Sequence, residues 1–303
     1  MKMTAAIALT ALLATAGCID LVGADGGKYV ERETKHFTTS GMPDLNLHTF
    51  DGGIEIRAWD KPDVEVVIEK RAVTKEAADT IEIRSDQSGN QVTVDATVPK
   101  SSGFGVHFNY SRSARLIVSA PASANLLAKS GDGSITVEGI TGRVELRSGD
   151  GSIRGRDLGG DVKAHTGDGS IRLEGVNGSL DVDTGDGSVV VIGKLTTVRA
   201  RSGDGGVTVR ANSGSSPAAD WEITTGDGAI RLELPEPFDA ELDAHTGDGS
   251  IHMNDVTLSN VSGKIGRNSV RGQLGSGGRL MRLRTGDGSI TLNRIVAAER
   301  GTR

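Results

Sequence analysis

Eight aspartates recur in one phrase, Ser/Thr-Gly-Asp-Gly: Asp132, Asp150, Asp168, Asp186, Asp204, Asp227, Asp248 and Asp287. A carboxylate repeated in this way could ligate a hard cation such as calcium, share acid–base chemistry, or brace a turn by accepting backbone hydrogen bonds. The neighbouring residues weigh on that choice. Three residues before each aspartate stand Lys129, Arg147, His165, Asp183, Arg201, Thr224, His245 and Arg284; four after stand Thr136, Arg154, Arg172, Val190, Thr208, Arg231, His252 and Thr291. Seven of these are Lys or Arg, so the acidic column carries its own counter-ions and needs no bound metal. The spacing also differs from the Gly-Gly-x-Gly-x-Asp calcium repeat. The aspartates are read as structural turn residues between glycines, such as Gly131 and Gly133, that supply backbone angles other residues avoid, with weak cation binding as their only alternative role, and no metal or cofactor is expected.

No catalytic residue stands out. A catalytic site is an exception within a repeat, and here acids and bases recur throughout. The chain has no nucleophile elbow, no His-x-x-x-His pair and no phosphate-binding loop. His165 and His245 read as solvated surface, Trp59 and Trp221 as packing residues. The arginines Arg147, Arg154, Arg172, Arg201, Arg231 and Arg284 occupy outward repeat positions and are the candidate binding residues.

The elements that would hold these residues follow from the spacing. The aspartates from Asp132 to Asp204 are evenly spaced, one 18-residue period apart, and the steps to Asp227, Asp248 and Asp287 are longer. A fixed period of this size marks a repeat architecture. The last step is close to two periods and predicts a degraded copy near 266–272. Within "SGDGSITVEGITGRVELR" (130–147), two turns separate two short alternating strands. Three residues after each aspartate comes Ile135, Ile153, Ile171, Val189, Val207, Ile230, Ile251 or Ile290; four before and six before stand two further apolar columns, through Leu146 and Val144. These predict inward-facing ladders.

Asp-Gly is also a hairpin signal, so an antiparallel meander or β-sandwich is the alternative. A two-residue hairpin at Asp150-Gly151 would set Arg147 opposite Arg154, and like charges across strands are destabilising. The expected fold is therefore all-β: a single-stranded β-solenoid with 18-residue rungs, two short strands per rung, stacked in parallel.

The first residues, "MKMTAAIALTALLATAGC", have a charged start and an apolar run too short to span a bilayer, as in a secretory signal peptide. Cys18 is the chain's single cysteine, and "TAGC" resembles a bacterial lipobox, which implies lipidation at Cys18. Ile19 after it favours outer-membrane delivery by resemblance to the Gram-negative sorting rule. The domain reading is a lipoprotein signal peptide over 1–17, a flexible tether over 18–38, irregular solenoid coils over 39–126, regular Gly-Asp-Gly coils over 127–296 and a polar tail over 297–303. A short helical piece is expected at 74–81 and an exposed hairpin or loop at 99–113. The net charge of −6 and 3% aromatic content offer no nucleic-acid signal.

The entry "DGGIEIRAWDKPDVEVVIEKRA", the tandem "SGDGSITVEGITG" repeats and the closing "GSGGRLMRLRTGDGSITL" resemble a bacterial family of β-strand-repeat envelope proteins, proposed adhesins with a domain of unknown function. The resemblance covers about residues 40–295. It implies a β-solenoid, an envelope location and no known catalysis. The functional expectation is a non-enzymatic, lipid-anchored envelope protein, an adhesin or scaffold whose partner is an envelope polysaccharide or another surface protein. The alternatives are a carbohydrate-active β-helix enzyme and an envelope-stress regulatory lipoprotein.

Overall fold

The computed structural model describes residues 18–25, 28–99, 111–261 and 266–295. The expected signal peptide and polar tail lie outside these residues, as does most of the 99–113 loop. The protein is all-β. Among the described residues the one helix is Lys75–Asp79, started by Thr74, whose hydroxyl accepts from the Ala77 N–H as an N-cap.

Successive repeats pair in parallel. The strand Ile135–Glu138 pairs with Ile153–Arg156, which pairs with Ile171–Thr184, each register offset by one full period. Preceding strands do the same, Asn125–Ser130 against Thr141–Ser148 against Gly159–Thr166. Two ladders result, one of strands that enter the Gly-Asp-Gly turn and one of strands that leave it. Ile171–Thr184 and Val189–Ser202, of 14 residues each, run through both ladders and join them in one sheet, of 23 strands among the described residues. Ten parallel strands per ladder, at about 4.8 Å each, give a β-solenoid-like body roughly 45 Å long.

The three apolar columns face inward. Ile135, Ile153, Ile171, Val189, Val207, Ile230 and Ile290 are buried, together with Leu146, Ala164, Val182 and their equivalents, in one continuous core cluster. Ile251 is half-buried, because its strand ends the stack. Trp221 is fully buried in this core, its ring edge against Phe238. Trp59 is half-buried, bonded to the Asp63 carbonyl, with the Lys61 ammonium 4.7 Å over its ring.

Spatial order departs from chain order at both ends. The first repeat, 44–59, lies between residues 91–121 and 125–138: Asp44–Thr49 pairs with both Gln91–Thr97 and Asn125–Ser130, and Ile54–Trp59 with both Arg112–Pro121 and Ile135–Glu138. The last repeat, 280–294, lies between 221–234 and 240–254. Each terminal repeat is thus held one place inside the stack.

Three expectations are corrected. Residues 28–37, expected within a flexible tether, form the strand Lys28–Phe37, antiparallel to Val64–Ala72. Val30 and Phe37, seven residues apart and so on opposite faces of this strand, are both buried, Phe37 in the main core cluster. The strand Cys18–Asp25 pairs antiparallel with it. The degraded copy expected at 266–272 is no parallel repeat: Ser269–Leu274 runs antiparallel along Ala240–Thr246 and closes that end. The third concerns the turn glycines and is taken up below.

Candidate functional site

The Gly-Asp-Gly turns stack into a ridge, and the Ser/Thr column before the aspartates organises it. Ser130, Ser148, Thr166, Thr184, Ser202, Thr225, Thr246 and Thr285 are all buried. Each hydroxyl donates to a glycine carbonyl of the neighbouring repeat at 2.7–2.9 Å, Thr166 to Gly151 and Thr184 to Gly169 among them. In four of them the hydroxyl also accepts the N–H of its own turn, as Ser148 does from Gly151. Small hydroxyl side chains therefore satisfy the buried backbone groups of the bend.

The glycines on either side of the aspartate are needed for space. They lie outside the positive-φ residues, contrary to the expectation that they supply unusual backbone angles. A Cβ on Gly151, Gly169 or Gly187 would lie 2.1–2.3 Å from the carbonyl oxygen of the repeat beneath, so the stack closes only over bare Cα atoms. Positive φ is required at the second turn, at Gly139 and Gly175, and Asp157 takes the same place at φ 53°.

The eight turn aspartates are exposed. Backbone pairing orders them along the ridge as Asp132, Asp150, Asp168, Asp186, Asp204, Asp227, Asp287 and Asp248, with Asp51 heading the column. Among the described residues none makes a side-chain hydrogen bond or ion pair within the protein, so the bracing expected of aspartate is done by Ser and Thr. Asp51 is half-buried and its carboxyl is held above the ordinary value, first by burial and then by repulsion from Asp132, against an opposing bond from the Gly52 N–H. Asp51 thus feels the carboxylate of the next coil, Asp132. Among the described residues no group of three or more His, Cys, Asp or Glu could hold a metal ion.

The six candidate arginines fall on two outer faces. On the ladder entering the turns, Arg147 lies in register between Lys129 and His165, Arg201 between Asp183 and Thr224, and Arg284 between Thr224 and His245. On the ladder leaving them, Arg154 sits beside Arg172, and Arg231 between Thr208 and Thr291. The structure brings together two short basic stretches, Lys129–Arg147–His165 and Arg154–Arg172, on either side of the same turns. It separates Arg201, Arg231 and Arg284 from them. Arg147 pairs with Glu145, Arg172 with Glu174, Arg201 with Glu222 and Arg284 with Asp243. Arg154 and Arg231 have no acidic partner within 4.0 Å among the described residues.

Two charged features went unread in the sequence. Glu69 is fully buried on an outer strand face, bonded by Arg32 and Arg71, with Arg115 at 3.7 Å. Burial alone would raise its pKa, but the bonds from Arg32 and Arg71 outweigh this and lower it. The only sequence signal was an acid set among basic residues in "VVIEKRA". Asp243, likewise, is pulled below its ordinary value by Arg284 and Arg271 in spite of burial. It lines an open cleft of about 400 Å³ with Glu241, Asn260, Arg271, Gln273 and Leu280. A second cleft of about 280 Å³ lies at the other end, along Asp44, Asn46, Gln91, Asn125, Arg143 and Glu145.

The model of the Toastrack DUF4097 family matches residues 44–293, the span that holds both ladders and the ridge. The chain belongs to this family. Toastrack is a β-solenoid-like fold of unknown function, in agreement with the resemblance read from the repeats. Solved structures similar to this toastrack chain include a proposed adhesin from Bacteroides fragilis (12% identity, TM-score 0.45, covering 87% of this chain and 97% of that one). A proposed adhesin from Parabacteroides merdae (11%, 0.39, 88% and 96%) and a proposed cell adhesion protein from Clostridium sporogenes (13%, 0.28, 93% and 100%) are also similar. No functionally curated protein matches the chain. Among the described residues, no helix of this toastrack protein is long and apolar enough to cross a membrane.

Proposed function

We propose that this protein is a non-enzymatic adhesin or scaffold of the bacterial envelope, exported, lipidated at Cys18 and held at the outer membrane. Each repeat is read as one coil, and the coils present side chains to an extended anionic partner, such as an acidic envelope polysaccharide. The observation that carries the reading is the pair of basic stretches, Lys129–Arg147–His165 and Arg154–Arg172, which flank the same turns at strand spacing. A polymer lying across these coils meets Lys129 and Arg147 on one side of the turns and Arg154 and Arg172 on the other, and several weak contacts add up to useful affinity. Surface charges of this kind are screened by salt.

The test is binding of purified protein to acidic envelope polysaccharide over a salt series, with Arg147→Ala, Arg154→Ala and Arg172→Ala combined. The expected result is a loss of at least tenfold in affinity at low salt and a weaker salt dependence, with an unchanged melting temperature. Unaltered binding by the triple variant, or turnover of the polysaccharide by the wild-type protein, overturns the proposal.

A further inference from the structure

The position of the last repeat carries an inference that goes beyond the binding reading. Residues 280–294 fill a slot between repeat 221–234 and repeat 240–254. Both sides of the slot offer the same register. Met281 pairs with Trp221 on one side and Leu242 on the other, Leu283 with Ile223 and Ala244, and Ile290 with Ile230 and Ile251. The two Thr hydroxyls match as well, Thr285 donating to Gly228 and Thr246 to Gly288.

The segment that delivers this repeat is built as a hinge. Gly275, Ser276, Gly277 and Gly278 precede it, and the three glycines have φ of 55°, 80° and 138°. All but Gly277 are exposed. An element carried on such a hinge can leave its slot as a unit, after which repeat 240–254 needs a new neighbour because Ile251–Asn254 pairs with no other strand among the described residues, and exchange of an identical element between copies is a low-cost route to dimers.

We propose that repeat 280–294 exchanges between two copies of this chain, each filling the other's slot. The partner is a second molecule of the same protein, and the interface is the pair of ladder edges at Trp221–Thr225 with Ile230–Leu234 and Ala240–Thr246 with Ile251–Asn254. Reciprocal exchange restores the strand pairing and core contacts of repeat 280–294 and changes only hinge contacts such as the bond from the Ser276 N–H to Asp239, so concentration and hinge geometry decide between the two forms. The slot also has a means of waiting: Leu242, Ala244 and Ile251 present the same residue class as Met281, Leu283 and Ile290, so repeat 240–254 can settle against 221–234 while the last repeat is out.

The test uses disulfides across one side of the slot in a Cys18→Ser background. Arg231 and Thr291 are direct neighbours on adjacent parallel strands, a separation that a disulfide spans. Arg231→Cys protein is mixed with Thr291→Cys protein at high concentration, incubated, oxidised and run without reductant. The control mixture is Thr136→Cys with Arg154→Cys, neighbours in mid-stack with no hinge. The expected result is a cross-linked heterodimer, rising with concentration, in the first mixture and at least tenfold less in the control. The double variant Arg231→Cys/Thr291→Cys should close within one chain when dilute, which verifies that the pair bonds. Closure of the double variant without heterodimer from the mixture overturns the proposal, as does equal cross-linking in both mixtures or failure of the double variant to close.

Discussion

Replacing Gly169 by alanine, beside Asp168 replaced by alanine, separates the two accounts of the repeated turn. The new methyl at Gly169 would stand 2.3 Å from the Gly151 carbonyl oxygen and 2.6 Å from its carbon, and both atoms are backbone that cannot rotate away. The stack must open by about an ångström at that corner to reach ordinary contact. Overpacking of this kind costs about 1–3 kcal/mol, and the neighbouring bond from the Gly167 N–H to the Gly149 carbonyl would be stretched, worth about 1 kcal/mol. Against this, alanine restricts the unfolded chain and returns about 0.4–1 kcal/mol. The net is a loss of about 2 kcal/mol, or about 4–8 °C in melting temperature for a domain of this size. Asp168→Ala removes an exposed side chain with no bond inside the protein and should stay within about 0.5 kcal/mol of wild type. Thermal and urea unfolding followed by far-ultraviolet circular dichroism measure both. A neutral Gly169→Ala beside an Asp168→Ala that costs more than about 1 kcal/mol would return the turn to the aspartate and refute the steric account.

Ile171→Asp places an unpaired charge in the fully buried column and should cost several kcal/mol, on the order of 3 or more, read as a lowered urea midpoint or as insoluble expression. Asp51→Asn tests the head of the ridge. Because the folded pKa lies above the ordinary 3.8, ionised Asp51 weakens the fold increasingly as pH rises through that range, so the variant should be more stable than wild type at pH 7 and equal to it near pH 3. A stability gap independent of pH would refute the raised pKa of Asp51 that burial and Asp132 impose. Cys18→Ser should move the protein from the membrane fraction to the soluble fraction of the envelope, and unchanged fractionation would count against the anchor.

The sequence was most legible where one repeat's environment equals the next. The columns through Ile171, Ala164 and Val162 could be read because stacked repeats bury the same positions each time, so the period along the chain becomes the register between strands. Arg147 and Arg154 were rightly separated, since facing them in a hairpin would have opposed two charges. Legibility failed where the reason for a residue lies in another part of the chain. Gly151 reads as a turn residue on its own, and only the Gly133 carbonyl beneath it shows that the missing Cβ matters more than the backbone angle. The order of the end repeats was equally hidden. Met281 suits Trp221 and Leu242 alike, and spacing along the chain does not say which repeat will lie between the others. The reversal at Ser269–Leu274 kept the apolar residues Val270 and Leu274, so its pattern resembled a weakened repeat while its direction was opposite.

The placement of both terminal repeats one position inside the stack decides how the body meets a mechanical load. In a stack whose first and last coils follow chain order, a pull on either end peels the outermost strand, one bond at a time, from a single neighbour. Here, once the flanking strand Lys28–Phe37 is stripped away, tension entering at Asp44 runs along a strand gripped on both edges. Tension arriving at Arg294 meets the same arrangement in Ile290–Arg294. Both ladders must then slide together, in shear, before the chain yields. A body loaded in this way would fail late and abruptly, because neither terminal repeat of the stack is free to peel from a single neighbour.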